Sequence, residues 1–188
     1  EEDATPLYFA CRWGTLSTAQ YLLSKGADVN YVDKRGDTAL LGASDSGNLA
    51  KVQLLISEGA NIHHVNNSNS NAVHCAIHGY SLNSFREKSS RNDDCVNHVA
   101  VLEFLLQKGA DVNNVSHMYS RGNSVILAAS QVNDADLMRI LLSYGANIHD
   151  RNEYGETPLM MAAARGNDSV VEVLLSNGAN VSDKDFQG

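Results

Sequence analysis

Apolar residues along this chain fall into blocks of two alternating kinds. The longer kind carries them at helical spacing: Val52, Leu54, Leu55 and Ile56, then Leu102, Phe104, Leu105 and Leu106, then Val170, Val171, Val173, Leu174 and Leu175. Recurrence at three- and four-residue intervals predicts amphipathic helices. The shorter kind is built around a small residue, Ala10, Ala43, Ala76, Ala129 or Ala162. It predicts a short helix that a neighbour approaches closely. Gly-Asn turns, as at Gly47-Asn48 and Gly166-Asn167, join the short helix to the long one.

Fixed markers accompany the blocks. Gly-Ala-Asp-Val-Asn starts at Gly26 and Gly109, and close variants start at Gly59, Gly145 and Gly178, giving steps of 33, 50, 36 and 33 residues. Each short helix opens on a second marker: Thr5-Pro6-Leu7-Tyr8, Thr38-Ala39-Leu40-Leu41, Asn71-Ala72-Val73-His74, Ser124-Val125-Ile126-Leu127 and Thr157-Pro158-Leu159-Met160. Two markers returning in one order five times define five units of period 33. Thr is a helix N-cap, and Pro costs nothing at the first helical position. The marker glycine stands where a left-handed C-cap is wanted. The extended stretch that follows turns over at Gly36, Asn69, Gly122 or Gly155. One helix pair cannot bury both its faces, so the units must stack.

The units run 4–36, 37–69, 70–122, 123–155 and 156–188. Only the third is irregular. It holds 17 extra residues at about Ser81–Asn97, between its helices, and three more around 117–119 in the following finger. The first insert is either a plain surface loop, since long insertions add little closure entropy, or a binding or regulatory element. The whole is expected to be a single domain, 1–188. The apolar last outer helix, and an end on Gly188 at the finger-turn position, lead us to expect a segment of a longer array.

Composition narrows the function classes. A net charge of −8 opposes generic nucleic-acid binding, which needs a concentrated positive field. No apolar run approaches the ~18 residues of a membrane span, and no charged-then-apolar leader is present. Cys11, Cys75 and Cys95 are too few and odd in number for a disulfide framework. They read as free thiols of a reducing compartment, hence an intracellular, cytoplasmic protein.

The two markers resemble the Thr-Pro-Leu-His opening and Gly-Ala-Asp-Val-Asn close of ankyrin repeats, over essentially the whole chain. The resemblance implies an all-α repeat solenoid of helix–turn–helix units, with β-hairpin fingers along one side of a curved stack. The family's opening histidine survives only as His74, and the fourth unit lacks Thr and Pro, so its inner helix should be less firmly capped. The family's usual function is protein–protein recognition without catalysis, cofactor or metal, here by a domain expected to be monomeric in isolation. Its usual surface, carried onto this chain, comprises Arg12, Trp13, Asp45, His78, Gln131 and Arg165 on the inner helices. On the fingers it comprises Lys34, Arg35, Tyr119, Arg121, Glu153 and Tyr154. Trp13, the only tryptophan, either serves this surface or packs on a preceding repeat. The arginines and Lys34 suit a partner of mixed polarity. Two other readings stay open: a structural spacer in a larger cytoskeletal, channel or multidomain protein, and a ligand- or nucleotide-binding regulatory domain. Asn30 and Asn113 match the positions that a 2-oxoglutarate-dependent asparaginyl hydroxylase modifies in such repeats.

His74-Cys75-x-x-His78 has the i, i+4 histidine spacing of zinc sites, yet Cys75 stands where the zincin glutamate would be. His74 occupies the family's structural position, and His63, His98 and His149 are likewise explained by the repeat. Nucleophile elbows, phosphate loops and convergent carboxylate pairs do not stand out, so no metal and no catalytic residue is expected.

Overall fold

A computed structural model describes residues 3–85, 97–117 and 123–187, with the side chains of 82–85 excepted. The chain forms two compact units, Glu1–Asp111 and Val112–Gly188. The first holds α1 (Pro6–Arg12), α2 (Leu16–Ser24), α3 (Ala39–Asp45), α4 (Leu49–Ser57), α5 (Ala72–Phe85) and α6 (His98–Gln107). The second holds β1 (Val115–Ser116), β2 (Asn123–Ser124), α7 (Val125–Ala129), α8 (Ala135–Ser143), α9 (Pro158–Arg165) and α10 (Asp168–Ser176). In the first unit the inner helices α1, α3 and α5 pack in series, with the outer helices α2, α4 and α6 stacked behind them. In the second, α7 meets α9 and α8 meets α10. Five helix pairs of one design make the fold an all-α repeat solenoid.

The caps follow from the sequence. The hydroxyls of Thr5, Thr38 and Thr157 accept the N–H of Tyr8, Leu41 and Met160 at 3.2, 3.4 and 3.3 Å, and Asn71 Oδ1 accepts that of His74 at 3.0 Å. Ser124 makes no capping bond, and its buried hydroxyl has no hydrogen-bond partner among the described residues. The helix it opens, α7, is also the shortest described, at five residues. The weak cap expected of the fourth repeat is therefore present, and it goes with a helix that barely completes one turn. At the other ends, the five marker glycines take φ of 84° to 95°, a region where any Cβ is strained.

The small inner-helix alanines 10, 43, 76, 129 and 162 are all at most 5% exposed. Around them lie Leu7, Leu40, Leu55, Ile77, Leu102 and Leu105 in the first unit, and Ile126, Leu127, Leu137, Met138, Leu141 and Leu174 in the second, each under 2% exposed or at 2%. Each such side chain stabilises the fold by about 1.5–3 kcal/mol relative to exposure. The tightest approach is at Gly79 of α5: a Cβ there would overlap the Asp45 carbonyl oxygen and come within 2.6 Å of His98 Nε2.

Stacking leaves carbonyls at the ends of inner helices that the next outer helix must satisfy. Three different residues do it. Lys51 of α4, 4% exposed, donates through Nζ to the carbonyls of Cys11 (3.1 Å) and Gly14 (2.7 Å). His98 Nε2 donates to Asp45 O at 3.1 Å, and Asn167 Nδ2 to Ser130 O at 2.9 Å.

Two features refine the expected architecture. The insert expected as a loop from Ser81 begins as helix, because α5 continues to Phe85 and reaches 14 residues; the remainder, 86–96, lies outside the described residues. Among the described residues only Val115–Ser116 and Asn123–Ser124 pair as strands. The other fingers are tight turns organised by one side chain. Asp33, Asn66 and Asn152 each accept two backbone N–H groups through Oδ1, from the residues two and four ahead, at 2.8–3.0 Å. Asp185 accepts that of Gln187 at 2.9 Å. An Asx side chain closing the turn takes over bonds that a longer strand pair would make.

Candidate protein-recognition surface

In the first unit the seventh residues of the inner helices line up. Arg12, Asp45 and His78 occupy the same slot of three successive repeats, 33 residues apart. The stack bonds them to one another. Arg12 Nη2 meets Asp45 Oδ2 at 2.9 Å, and His78 Nδ1 donates to Asp45 Oδ1 at 2.6 Å. Both carboxylate oxygens of Asp45 are engaged, with its side chain 13% exposed. Such part-buried, charge-assisted bonds are stronger than exposed ones and hold the three inner helices in register.

Tyr8 lies beneath this row. Its hydroxyl accepts Arg12 Nη1 at 2.9 Å and Arg35 Nη2 at 3.4 Å, and burial raises its pKa against the opposing Arg12 charge. The cations expected for a partner are thus held from within. Lys34 pairs with Asp3 at 2.8 Å, and Arg35 lies 3.7 Å from Asp33 and 3.6 Å from Asp37. Trp13 is different: it is 61% exposed, with its ring centroid 5.5 Å from that of Phe9, 5.9 Å from that of Tyr8 and 5.0 Å from the Arg12 guanidinium.

In the second unit, Arg165 Nη2 donates to Gln131 Oε1 at 3.0 Å, joining two inner-helix candidates. Tyr154 is 48% exposed on its finger beside Glu153, which lies 3.8 Å from His117. Tyr119 and Arg121, with most of the two inserts, fall outside the described residues.

The candidate hydroxylation residues bridge repeats. Asn30 Nδ2 donates to Gly59 O at 2.9 Å, and its Oδ1 accepts the N–H of Asn61 at 2.8 Å. Asn113 does the same to Gly145 O and the N–H of Asn147, at 3.0 and 2.9 Å. Each amide is part of the joint between one repeat and the next.

The histidines of the zinc-like pair go separate ways, His74 to Asn71 at 3.1 Å and His78 to Asp45. Among the described residues, three or more His, Cys, Asp or Glu side chains never group as a metal site would require. Burial raises the Cys75 thiol pKa and pushes that of Cys11 up to about 11, which keeps both protonated at neutral pH. None of the described helices is long and apolar enough to cross a membrane.

What the stacked helix pairs define is a repeat solenoid, and sequence comparison gives its family. A family model for ankyrin repeats (three copies) matches residues 7–86 and 93–185, so the chain belongs to the ankyrin-repeat family. The unmatched stretch between these segments falls inside the insert at about Ser81–Asn97. Ankyrin repeats are generally protein–protein interaction modules that bind protein partners, and the family is typically non-catalytic. No curated protein matches the chain.

Proposed function

We propose that the chain is a non-catalytic recognition module that holds a partner peptide or domain through its finger tips and inner-helix ends. One observation carries the reading: Trp13, a large ring 61% exposed, stands on a helix end that Asp45 and Tyr8 hold through Arg12. Exposed tryptophan on a rigid, arginine-flanked base has the composition of an interface hot spot. The unpaired thiols of Cys11 and Cys75 suit a reducing, intracellular and cytoplasmic setting.

Quantitative affinity capture from cell extract tests it, comparing wild type, Trp13→Ala and the outer-helix control Tyr21→Ala, which alters a residue 63% exposed on α2. The expected result is a captured protein lost with Trp13→Ala and retained with Tyr21→Ala. Retention of every captured protein by Trp13→Ala refutes the reading. It would favour the second one, a structural spacer, which draws support from the Arg12–Asp45–His78 row that bonds each repeat to the next.

A further inference from the structure

Four of the fingers share one scaffold and differ in what they show to solvent. The Asx turn recurs at 33, 66, 152 and 185, and the two tip residues after it are Lys34-Arg35, Asn67-Ser68, Glu153-Tyr154 and Phe186-Gln187. In the first unit, tip cations are answered by that unit's own carboxylates. In the second, residues 150–156 and 183–187 carry five acids against Arg151 and Lys184. Arg151 is taken up locally, by the carbonyls of Gly155 (2.7 Å) and Lys184 (2.8 Å) and by Asp183 at 3.1 Å. These two fingers together therefore present an acidic field.

Two aromatic rings stand in that field. Phe186 is 73% and Tyr154 48% exposed. The backbone ties them together, since the Phe186 N–H donates to Tyr154 O at 3.0 Å. The Phe186 ring rests on Gly155, where an added Cβ would come within 2.5 Å of it. The turn itself requires neither ring: the same slots hold Asn67 and Ser68 in the first unit, where Asn67 N–H makes the equivalent bond to Arg35 O at 3.0 Å.

We propose that Tyr154 and Phe186, rimmed by Glu153, dock a basic segment of a partner protein. Its arginine or lysine cations lie over the ring faces, which attract positive charge, and pair with the neighbouring carboxylate. The proposal rests on the recognition reading and adds the partner's chemistry. Charge complementarity selects this occupant, because exposed aromatic rings in an acidic field favour a cationic ligand over a neutral or anionic one.

The test is calorimetric titration of the whole chain with a short synthetic peptide of alternating arginine and glycine, and with its glutamate-for-arginine counterpart. Saturable, salt-sensitive binding of the arginine peptide is expected. It should weaken about tenfold or more in the Tyr154→Ala/Phe186→Ala double variant, and measurably in Glu153→Gln. It should persist in Glu172→Gln, which removes an equal charge from exposed α10. Unchanged circular-dichroism melts show that these surface variants fold. Equal affinity in the double variant, an equal loss in Glu172→Gln, or equal binding of the glutamate peptide overturns the proposal. A chain that ignores the peptide yet loses a captured partner with Trp13→Ala refutes this inference alone. One that binds the peptide through the two rings while Trp13→Ala keeps every partner refutes the Trp13 surface alone.

Discussion

Substituting Gly79 by alanine should destabilise the protein, although the same change in an ordinary helix does the opposite. In an exposed helix interior, Gly→Ala stabilises by about 1 kcal/mol through backbone entropy. Gly79 lies within α5, with φ outside the left-handed region, so that gain applies here too. Against it stands the close approach of α5 to the end of α3. The new Cβ would overlap Asp45 O and lie 2.6 Å from His98 Nε2, so both partners of the His98–Asp45 hydrogen bond must move. Forcing a methyl into a packed contact costs about 1–3 kcal/mol. Losing a buried hydrogen bond adds roughly 1 kcal/mol, and more if the carbonyl is left unsatisfied. Subtracting the helix gain leaves a net loss of about 1–3 kcal/mol, or a fall in thermal midpoint of several degrees for a chain of this size. Thermal melts of Gly79→Ala and wild type, followed by circular dichroism, measure it. A midpoint equal to or above wild type would refute the reasoning, because helix propensity would then outweigh the contact.

Three further outcomes follow from the same geometry. Thr38→Ala removes a working N-cap and should cost about 1 kcal/mol in urea denaturation, whereas Ser124→Ala, at a position with no capping bond, should be neutral or slightly stabilising; equal losses would contradict this. Lys51→Met keeps the apolar stem but removes the Nζ bonds to the Cys11 and Gly14 carbonyls, leaving Cys11 O with the Ser46 hydroxyl at 3.4 Å, and should cost roughly 1–3 kcal/mol; a more stable variant would mean that burying the ammonium outweighed its hydrogen bonds. Burial lowers the His98 pKa, against its hydrogen bond and the charge of Asp45. The unfolded chain, with an ordinary histidine pKa of about 6.5, therefore takes the proton first. His98 should leave stability intact above that pH and reduce it as pH falls from there toward the folded-state value. The denaturation midpoint should fall less steeply between neutral and mildly acidic pH in His98→Gln than in wild type, and identical slopes would exclude the mechanism.

Most of the scaffold was legible from periodicity, because stacked repeats meet the same physical demand at each step. Thr5, Thr38 and Thr157 cap, and the five marker glycines turn the chain, for reasons visible in any one unit. What was hidden depends on two repeats at once. Lys51 reads as an ordinary polar helix residue until it is aligned with its later counterparts Val101, Leu137 and Val170, all buried and apolar. That departure was the available signal. The Arg12–Asp45–His78 row was likewise present in the sequence at intervals of 33, but its complementarity emerges only once neighbouring repeats are placed side by side. The turn-closing side chains Asp33, Asn66, Asn152 and Asp185 recur as regularly as the glycines and were an equally available signal. Strand pairing is sparse in the described fingers because one Asx side chain takes over its bonds. Which exposed slots meet a partner is not encoded in periodicity, since every unit exposes the same positions.

Recognition through the variable helix ends and finger tips is tested most directly by hydrogen–deuterium exchange on the whole chain, free and bound to a purified partner, with Trp13 fluorescence recorded on the same samples. Binding should slow exchange at the α1 end around Arg12 and Trp13 and at the tips near 34–35 and 153–154, and shift Trp13 emission to the blue. Protection confined to the outer helices α2, α4, α8 and α10, with Trp13 emission unchanged, would contradict it.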